Sequence, residues 1–479
     1  MTTSARAYSP PPGSIPTLGV PSLEDIARVH MIGIGGAGMR NLAKLLLARG
    51  ISVSGSDLKD SKGLARLREL GADISVGHDP GNLGATDAVV VSSAIGERNV
   101  ELAEARRRNV PVWARAQALA ALTAGTRSIA VAGTHGKTTT TSMVAVVLER
   151  AGADPSYLIG GDLNESGSGA RSGAGDLFVF EADESDGSFL LAPHPIGVVT
   201  NVDVDHVDFY PGGRREIEAA FAAFMSGCEL VVACGDDPGV RAAIGLADAS
   251  RVVTYGTGPA NDWTLVIQAV GPGGARGVVT GPDRAETPLQ LRVDGAHNLL
   301  NAVAAVATAE AVGVEPGIAA KALAAFSGVH RRFELRGSAR GADFYDDYGH
   351  VPVELAVTLG VARRLRPRRL VAVFQPHRYS RTQALWRELG ASLAEADLVV
   401  VTDVYGADQT PIPGVTGKLV VDGIAAAAPS SRVVYLPHRH DVVRFLGEEV
   451  REGDLIVTMG CGDVWMLGDA AIERIREAS

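Results

Sequence analysis

A short segment, Gly133–Thr141 (GTHGKTTTT), constrains the fold more than any other part of the sequence. It follows the apolar run Ser128–Val131 and precedes an Ala- and Val-rich stretch, so it joins a strand to a helix. In such a loop the backbone N–H groups surround phosphates, Lys137 adds a positive charge and the Thr138 hydroxyl can ligate Mg²⁺. The segment therefore predicts an α/β sheet that binds phosphate at the N-terminus of a helix.

The loop departs from the general pattern GxxxxGK[ST] of phosphate loops. Val131 stands where the first glycine of that pattern would be, and Gly133 comes two residues late. We therefore expect a tighter loop than the common form. The alternative, a chance match at a strand-to-helix turn, is disfavoured by the four successive threonines.

The alternation of strand and helix patterns extends along most of the 479 residues. Short β-branched runs alternate with Ala- and Leu-rich stretches, which is typical of parallel sheets covered by helices. This length exceeds what one hydrophobic core usually supports. We predict an α/β protein with a flexible tail (1–26) and three domains (27–125, 126–333 and 334–479), of which the first and last are Rossmann-like. Between Asp262 and Arg292, glycine-broken alternating segments predict antiparallel hairpins.

Charge, hydropathy and cysteine content exclude several functional classes. The net charge of -10 argues against binding nucleic acid, because phosphate neutralisation needs clustered Lys and Arg. No apolar run is long enough for a signal peptide or a transmembrane helix, so we expect no membrane insertion. Cys228, Cys234 and Cys461 are too few and too scattered for a disulfide framework or a zinc site. We expect a protein of the reducing cytoplasm, and the sequence gives no oligomeric state.

A second glycine-rich turn follows the first predicted strand. Its sequence, Gly33–Gly38, has the GxGxxG spacing in which backbone N–H groups and a helix N-terminus hold a diphosphate. Asp57 ends the next predicted strand, where a carboxylate can bind a ribose hydroxyl. The pair is compatible with NAD, with a UDP-sugar, or with a purely structural turn.

Two further predicted strands end in polar side chains. Glu181 follows an apolar strand, and Asn201 and His206 follow the next one along the chain. Loops at the carboxyl ends of the strands form the ligand crevice of such sheets, so a carboxylate there can hold a metal ion. Glu181 and His206 are therefore candidate ligands, with a solvated acidic run and a structural histidine as the alternatives.

Other polar segments are candidates for contacts with a nucleotide or a small substrate. Asn298 and Asn301 share one face at the start of a predicted helix, where they either contact an adenine edge or cap the helix. Arg332 either reaches a nucleotide or forms an ion pair between domains. Arg378 and Arg381 follow a strand and suit a carboxylate or a phosphate, with salt bridges as the alternative.

Together these segments resemble the Mur ligase family, from about Arg28 to the last helix. The motifs that carry the resemblance are GIGGAGM (Gly33–Met39), SSAI (Ser92–Ile95), AGTHGKTTTT (Ala132–Thr141), EADESD (Glu181–Asp186), HNLLN (His297–Asn301), RRFE (Arg331–Glu334), DDYGH (Asp346–His350) and FQPHRYSRT (Phe374–Thr382). Several of them are diagnostic of the alanine-adding branch of the family.

The resemblance implies an N-terminal UDP-sugar domain, a central P-loop ATPase domain with a parallel sheet, and a C-terminal domain that closes over ATP and an amino acid. The implied activity joins L-alanine to UDP-N-acetylmuramate through an acyl phosphate, with ATP as co-substrate and Mg²⁺, replaceable by Mn²⁺, as cofactor. Two rivals stay open: a ligase that recycles a tripeptide onto the same UDP-sugar, and a catalytically silent relative that binds it. The second phosphate loop disfavours an NAD oxidoreductase.

The resemblance also implies a role for each candidate residue. The implied catalytic residues are Lys137, Glu181, His206, His350, Arg378 and Arg381. The implied ATP contacts are Gly133, Thr134, His135, Gly136, Lys137, Thr138, Thr139, Asn298, Asn301, Arg332 and Asp346. The implied UDP-sugar contacts are Gly33, Gly35, Gly36, Ala37, Gly38, Asp57, Ser92, Ser93 and Arg115. The implied metal ligands are Thr138 and Glu181 for one Mg²⁺ and His206 for a second.

The chain departs from the family pattern at three places. Val351 stands where a second histidine usually follows DDYGH, Arg40–Asn41 replace small residues after GIGGAGM, and Cys461 interrupts a late Gly-Ala-Gly. The first departure affects the placement of the amino acid, and the second affects the UDP pocket.

Overall fold

The computed structural model describes residues 14, 17–92, 94–206, 209–271, 273–407 and 409–477. The chain divides into two compact units at the bond between Ser327 and Gly328. Most of the tail predicted for 1–26 lies outside the described residues. The boundaries predicted at 126 and 334 stay predictions. None of the helices in the described part of the chain has both the length and the apolar character needed to cross a lipid bilayer.

The first sheet of unit 1 has five parallel strands in the order β3-β2-β1-β4-β5. The strands are β1 (Arg28–Ile32), β2 (Ser52–Asp57), β3 (Asp73–Val76), β4 (Ala88–Val91) and β5 (Val112–Ala114). The helices are α1 (Ala37–Ala48), α2 (Lys62–Glu69), α3 (Val100–Arg107) and α4 (Arg115–Thr123). Because β1 is followed by β2 on one side and has β4 on the other, the strand order reverses at the turn after β1, where such folds bind ligands.

The second sheet of unit 1 has ten strands in the order β15-β14-β13-β12-β11-β10-β6-β9-β7-β8. The strands are β6 (Arg127–Ala132), β7 (Ser156–Leu158), β8 (Ala170–Arg171), β9 (Leu177–Glu181), β10 (Ile196–Val199), β11 (Leu230–Cys234), β12 (Val252–Gly256), β13 (Trp263–Gly271), β14 (Gly274–Thr280) and β15 (Glu286–Leu291). The helices are α5 (Lys137–Arg150), α6 (Arg214–Ser226), α7 (Pro238–Leu246), α8 (Ala296–Ala311) and α9 (Pro316–Leu323). The antiparallel hairpins predicted after Asp262 are confirmed by β13 to β15.

Strand β6 lies at the centre of the phosphate-binding region, with β10 on one side and β9 on the other. Strands β9 and β10 therefore follow one another along the chain but are separated in the sheet by β6. All three strands are parallel, so their carboxyl ends meet at one edge. Helix α5 is buried from Thr140 to Leu148 because it lies between this sheet and α8, which explains why its apolar residues occur on nearly all sides.

Unit 2 is a six-stranded sheet in the order β16-β17-β21-β18-β19-β20. The strands are β16 (Glu334–Ala339), β17 (Ala342–Asp347), β18 (Arg369–Phe374), β19 (Leu398–Val401), β20 (Arg432–Tyr435) and β21 (Asp454–Met459). The helices are α10 (Pro352–Arg364), α11 (Tyr379–Leu393), α12 (Lys418–Ala427), α13 (Arg439–Glu449) and α14 (Trp465–Glu477). The predicted α/β class is confirmed. The edge strand β16 (ELRGSA) is partly exposed and has no apolar run that would predict it, whereas the other edge strand, β20, has one in Val433–Tyr435.

Two glycines form the contact between α11 and α12. Gly390 is buried, and a Cβ built on it would overlap the backbone of Gly423. A Cβ on Gly423 would in turn overlap the carbonyl oxygen of Trp386. The two helices therefore approach until their backbones touch, which only residues without a side chain allow.

We expect Gly390→Ala to force α11 and α12 apart and to lower the free energy of unfolding of unit 2 by about 1–3 kcal/mol. Gly360→Ala in α10 is the matched control, since a Cβ there meets nothing within 4 Å. Alanine is favoured over glycine in a helix interior by up to about 1 kcal/mol, so the control should be neutral or stabilised. Denaturant unfolding of the full chain, with hydrogen exchange of α11 and α12, measures both. Equal stability of the two variants would contradict the close contact.

Candidate functional site

The predicted phosphate loop joins β6 to α5 and needs glycine at two positions. Gly133 has φ 138° and Gly136 has φ 81°, both in the region that favours glycine. A Cβ on Gly133 would also overlap the Thr200 hydroxyl. Lys137 begins α5 and Gly136 is its N-cap, so the loop presents backbone N–H groups at a helix N-terminus, as the sequence predicted.

The end of β10 holds the middle of this loop in place. The Asn201 side chain accepts the His135 backbone N–H at 2.8 Å and donates to the His135 carbonyl at 2.8 Å. The Thr200 hydroxyl donates to the same carbonyl at 2.6 Å. The Thr134 N–H donates to the Asn201 carbonyl at 3.2 Å. The conformation of the loop therefore depends on a strand that is distant in sequence.

Glu181, the last residue of β9, lies beside the first turn of α5. Its Oε2 accepts the Thr138 hydroxyl at 3.0 Å and the Gly160 N–H at 2.9 Å. Thr139, the next residue of α5, is partly exposed. The structure thus brings together two of the three residues predicted as metal ligands, one hydroxyl and one carboxylate.

The ammonium of Lys137 is turned into the loop and paired with Glu184. Its Nζ donates to the Gly133 carbonyl at 2.7 Å and lies 2.9 and 2.8 Å from the two Glu184 carboxylate oxygens. Burial alone would lower the pKa of Lys137, but the negative charges of Glu184, Asp183 and Glu181 raise it. Burial raises the pKa of Glu184 to about 7, although the charge of Lys137 opposes that shift. Lys137 therefore stays protonated at the loop, with Glu184 as its counter-charge.

His206 lies near Glu184. Its Nε2 is 3.7 Å from the Glu184 carboxylate and 3.5 Å from that of Asp205. Its backbone has φ 52°, a left-handed conformation that is uncommon for a residue with a side chain. In the described residues no three His, Cys, Asp or Glu side chains converge on a metal position. The assignment of Thr138 and Glu181 to one Mg²⁺ and of His206 to a second stays a prediction.

The two asparagines of α8 differ in their contacts. Asn301 is buried, and its side-chain oxygen lies 3.0 Å from where a Cβ on Gly136 would be. Asn298 donates from its side chain to the Asp294 carbonyl at 2.7 Å. Asn301 therefore lies against the phosphate loop, whereas Asn298 supports the start of its own helix.

The glycine-rich turn after β1 (Gly33–Gly38), the fingerprint turn, is fixed from two sides. The Gly35 N–H donates to Asp57 Oδ2 at 2.8 Å, and the Arg40 guanidinium donates to the Gly35 carbonyl. Gly36 and Ala37 are exposed at the N-terminus of α1. Arg40, one of the departures from the family pattern, therefore supports the turn that was predicted to hold a diphosphate.

The remaining residues predicted to contact the UDP-sugar surround this turn. Ser92 lies next to Gly33, and the Arg115 side chain lies against Gly38. Although burial raises the pKa of Asp183, the charges of Lys137 and Arg115 hold it below its ordinary value. Ser93 lies outside the described residues. Arg115 is thus close to both the fingerprint helix and the acidic segment beside the phosphate loop.

In unit 2 a cluster of basic side chains follows β17 and β18. The rings of His350 and His377 have centroids 5.8 Å apart, and Arg381 lies 3.5 Å from His377 Nδ1. Burial, and then the charges of His350, Arg381 and Arg378, lower the pKa of His377 to about 3. The structure therefore brings the predicted His350, Arg378 and Arg381 together around a neutral imidazole that the sequence did not assign.

The acidic pair at the end of β17 is buried and already engaged. Asp346 accepts Arg331 Nε at 2.9 Å and the Thr458 hydroxyl at 2.7 Å, and it is fully buried. The Arg332 guanidinium lies 5.3 Å from the centre of the Tyr348 ring. The carboxylate of Asp346 pairs with Arg331, and the ATP contact predicted for Asp346 stays a prediction. Val351 is buried and extended before α10, a packing position.

A buried polar network beneath the fingerprint turn was not predicted at all. Glu101, on α3, accepts His30 Nε2 at 3.2 Å, the Ser56 hydroxyl at 2.5 Å, the Asn82 amide at 2.7 Å and the Asp79 N–H at 3.1 Å. Burial pushes its pKa up, but these hydrogen bonds outweigh burial and lower the pKa to about 2. An acidic residue in the first turn of a helix is ordinary in sequence, so no local signal marks Glu101.

Fold and loops together define a multidomain α/β protein built to bind nucleotide phosphates. Three family models match it: "Mur ligase family, catalytic domain" over 28–127, "Mur ligase middle domain" over 131–309, and "Mur ligase, glutamate ligase domain" over 331–462. The chain belongs to the Mur ligase family, which confirms the predicted family.

Named relatives are similar along nearly the whole chain. UDP-N-acetylmuramate--L-alanine ligase of Acidothermus cellulolyticus is 47% identical over 461 residues, covering 95% of this chain and 96% of the relative. The enzyme of that name from Kineococcus radiotolerans is 48% identical, covering 94% and 97%. The crystal structure of UDP-N-acetylmuramate-alanine ligase from Thermotoga maritima matches with a TM-score of 0.80 at 28% identity, covering 94% and 100%.

We expect Glu101→Gln to lower the free energy of unfolding at neutral pH and to make that free energy depend less on pH in the acid range. The pKa of Glu101 falls from 4.5 to about 2 on folding, a shift equivalent to about 3 kcal/mol. For a lowered carboxyl pKa this stability is present above the unfolded value and is lost as pH falls toward about 2. Denaturant unfolding between about pH 6 and pH 3 measures it.

The matched control for that experiment is Glu97→Gln, whose side chain is 78% exposed and pairs with Arg106 at the surface. Exposed ion pairs contribute little to stability, so we expect the free energy of unfolding of this variant to depend on pH nearly as in wild type. If Glu101→Gln and Glu97→Gln gave the same pH dependence, the network would not hold an ionised Glu101.

Proposed function

We propose that the chain is an ATP-dependent, ADP-forming ligase that joins L-alanine to UDP-N-acetylmuramate in peptidoglycan precursor synthesis. The observation that carries the proposal is the buried Lys137 at the phosphate loop, with Thr138 and Glu181 3.0 Å apart beside it. The 47% identity to a ligase of that name over 95% of the chain supports the choice of substrates. The free cysteines, Cys228, Cys234 and Cys461, fit a cytoplasmic site of action.

The residues beside the loop fit a divalent cation. Mg²⁺ is usually held by one or two carboxylates together with substrate phosphates and water, and not by a cage of protein ligands. Thr138 and Glu181 offer one hydroxyl and one carboxylate at such a position. His206, near Glu184, would serve a second ion. Bound there, Mg²⁺ or Mn²⁺ would offset negative charge on the phosphate oxygens.

The reaction we propose has two steps. The carboxylate of UDP-N-acetylmuramate attacks the γ-phosphorus of ATP, which forms the acyl phosphate and breaks the bond to ADP. The neutral amine of L-alanine then attacks the acyl carbon, an amide forms, inorganic phosphate leaves, and the amine proton passes to solvent. Lys137 would place its charge on the transferring phosphate once it leaves Glu184.

We propose the following division of binding among the three predicted domains. The fingerprint turn and Arg115 in 27–125 would hold the UDP-sugar. The loop from Gly133 to Thr139 and Asn301 in 126–333 would hold ATP. His350, Arg378 and Arg381 in 334–479 would bind the carboxylate of alanine, for which paired guanidinium groups are suited.

The tripeptide-recycling ligase is the nearest alternative, because it would use the same loops and the same UDP-sugar. Phosphate release with UDP-N-acetylmuramate and ATP, measured with L-alanine or with a tripeptide as the acceptor, distinguishes the two. We expect turnover with L-alanine and little with the tripeptide. The reverse preference would replace the proposal, and no turnover with either would favour a silent binding protein.

We expect Lys137→Ala to abolish ligation while leaving UDP-sugar binding unchanged, because the two loops belong to different sheets. Loss of one aimed charge in a site from which water is excluded costs roughly a hundredfold or more in rate. Lys321→Ala, at an exposed position of α9, is the control and should keep full activity. Calorimetry with UDP-N-acetylmuramate accompanies the rate assay. Loss of UDP-sugar binding in Lys137→Ala would contradict the assignment of the two loops.

We expect Glu181→Ala to raise the Mg²⁺ concentration needed for half-maximal rate by roughly tenfold or more, as happens when groups around a metal are removed. The control is Glu286→Ala, an exposed carboxylate on β15. Rates are titrated against Mg²⁺ at saturating ATP. A wild-type titration curve for Glu181→Ala would show that the carboxylate is solvated and is not a ligand.

A further inference from the structure

His78 lies at the same sheet edge as the fingerprint turn and Asp57. It follows β3, whose last residue Val76 pairs with Asp57 in register, and the Gly77 N–H donates to the Asp57 carbonyl at 2.7 Å. Asp57 in turn holds the Gly35 N–H. Along this edge the turn after β1, the carboxylate after β2 and the imidazole after β3 therefore follow one another.

The hydroxyl proton of Ser56 is committed to Glu101. With its pKa at about 2 the Glu101 carboxylate is ionised, so it only accepts hydrogen bonds. The Ser56 Oγ lies 2.5 Å from Glu101 Oε2 and is the donor of that hydrogen bond. The lone pairs of the Ser56 oxygen are then left to accept a hydrogen bond from elsewhere.

The ring nitrogen of His78 that faces inward must therefore carry a proton. His78 Nδ1 lies 2.9 Å from Ser56 Oγ, which accepts its N–H, and the Glu101 carboxylate lies 3.7 Å away. In the neutral form of the ring the one N–H is then on Nδ1, and Nε2 is left as an acceptor. The side chain is 12% exposed. The His78 Nε2 atom is thus a hydrogen-bond acceptor at the edge of the sheet, and the hydrogen bond between Nδ1 and Ser56 fixes the tautomer of the ring.

We propose that His78 recognises the base of the nucleotide sugar, with Nε2 accepting the N3–H of uracil. The inference rests on the proposed function. A diphosphate at the N-terminus of α1 and a ribose at Asp57 direct the base toward the end of β3. Uracil has a donor at N3, whereas cytosine has a lone pair there, so the fixed tautomer favours uracil over cytosine. Glu101 and Ser56 are positioning residues, because they act through His78.

Calorimetry on the full chain with UDP and with CDP tests the proposal. A site built to hydrogen-bond one group rejects a ligand that leaves it unpaired, so we expect wild type to prefer UDP by roughly tenfold or more. His78→Phe should remove most of that preference by weakening UDP alone. His78→Gln, which can place an oxygen acceptor near the position of Nε2, should restore it. The matched control is His440→Phe, whose side chain is 77% exposed, and it should keep the wild-type ratio.

A second measurement reports the tautomer itself. Two-bond proton–nitrogen correlation of histidine-labelled protein, with His78 assigned by its loss in His78→Gln, should show Nδ1 protonated and Nε2 bare in wild type. In Ser56→Ala the Nδ1–H form should be less dominant and the preference for UDP smaller. An Nε2–H tautomer in wild type, or an unchanged UDP-to-CDP ratio in His78→Phe, would overturn the proposal.

These outcomes are distinguishable from failure of the proposed function. If wild type ligates L-alanine to UDP-N-acetylmuramate but His78→Phe leaves the ratio of UDP to CDP affinity unchanged, only the role of His78 is wrong. If wild type neither binds UDP-N-acetylmuramate nor turns over, the proposed function fails, and the role of His78 fails with it.

Discussion

The packing of Lys137 among carboxylates is the interaction on which the central site depends. A chain with a net charge of -10 can bind anionic ligands only where a few cations are aimed and held. Glu184 and the carbonyl of Gly133 hold this ammonium at the loop. The acidic segment after β9 is therefore the counter-charge that keeps a buried lysine protonated. The glycines of the loop and the support from β10 follow from the need to place backbone N–H groups around the same point.

Both sheets of unit 1 hold their ligand loops in the same way, because their strands are parallel around each loop. Each ligand loop follows the carboxyl end of a strand, and the next strands at that edge supply the groups that hold it. At β6 the support is Asn201 from β10, and at β1 it is Asp57 from β2. In both places a side chain accepts a loop N–H, so each conformation is set by a neighbour that is distant in sequence. Sites of this kind require the sheet to be complete before the loop has its final shape.

The sequence predicted the elements whose signals are local and missed those that depend on long-range contacts. Buried strands and both glycine loops have continuous local patterns, whereas β16 is a half-exposed edge strand without one. The resemblance implied one ion at Thr138 and Glu181 and a second at His206. No local pattern gives the order in which β9 and β10 flank β6. No pattern near Asp346 shows that its carboxylate is given to Arg331.

Two buried carboxylates show why residue type alone does not determine behaviour. Glu101 receives four hydrogen bonds, and its pKa falls to about 2. Glu184 has one cationic partner and the negative Asp183 nearby, and burial raises its pKa to about 7. Desolvation acts on both, so the number of donors around each one decides the sign. A carboxylate that accepts four hydrogen bonds stays ionised and orients the groups that donate to it. Glu184 is stabilised mainly by Lys137, so it loses fewer interactions than Glu101 would when its partner turns to another anion.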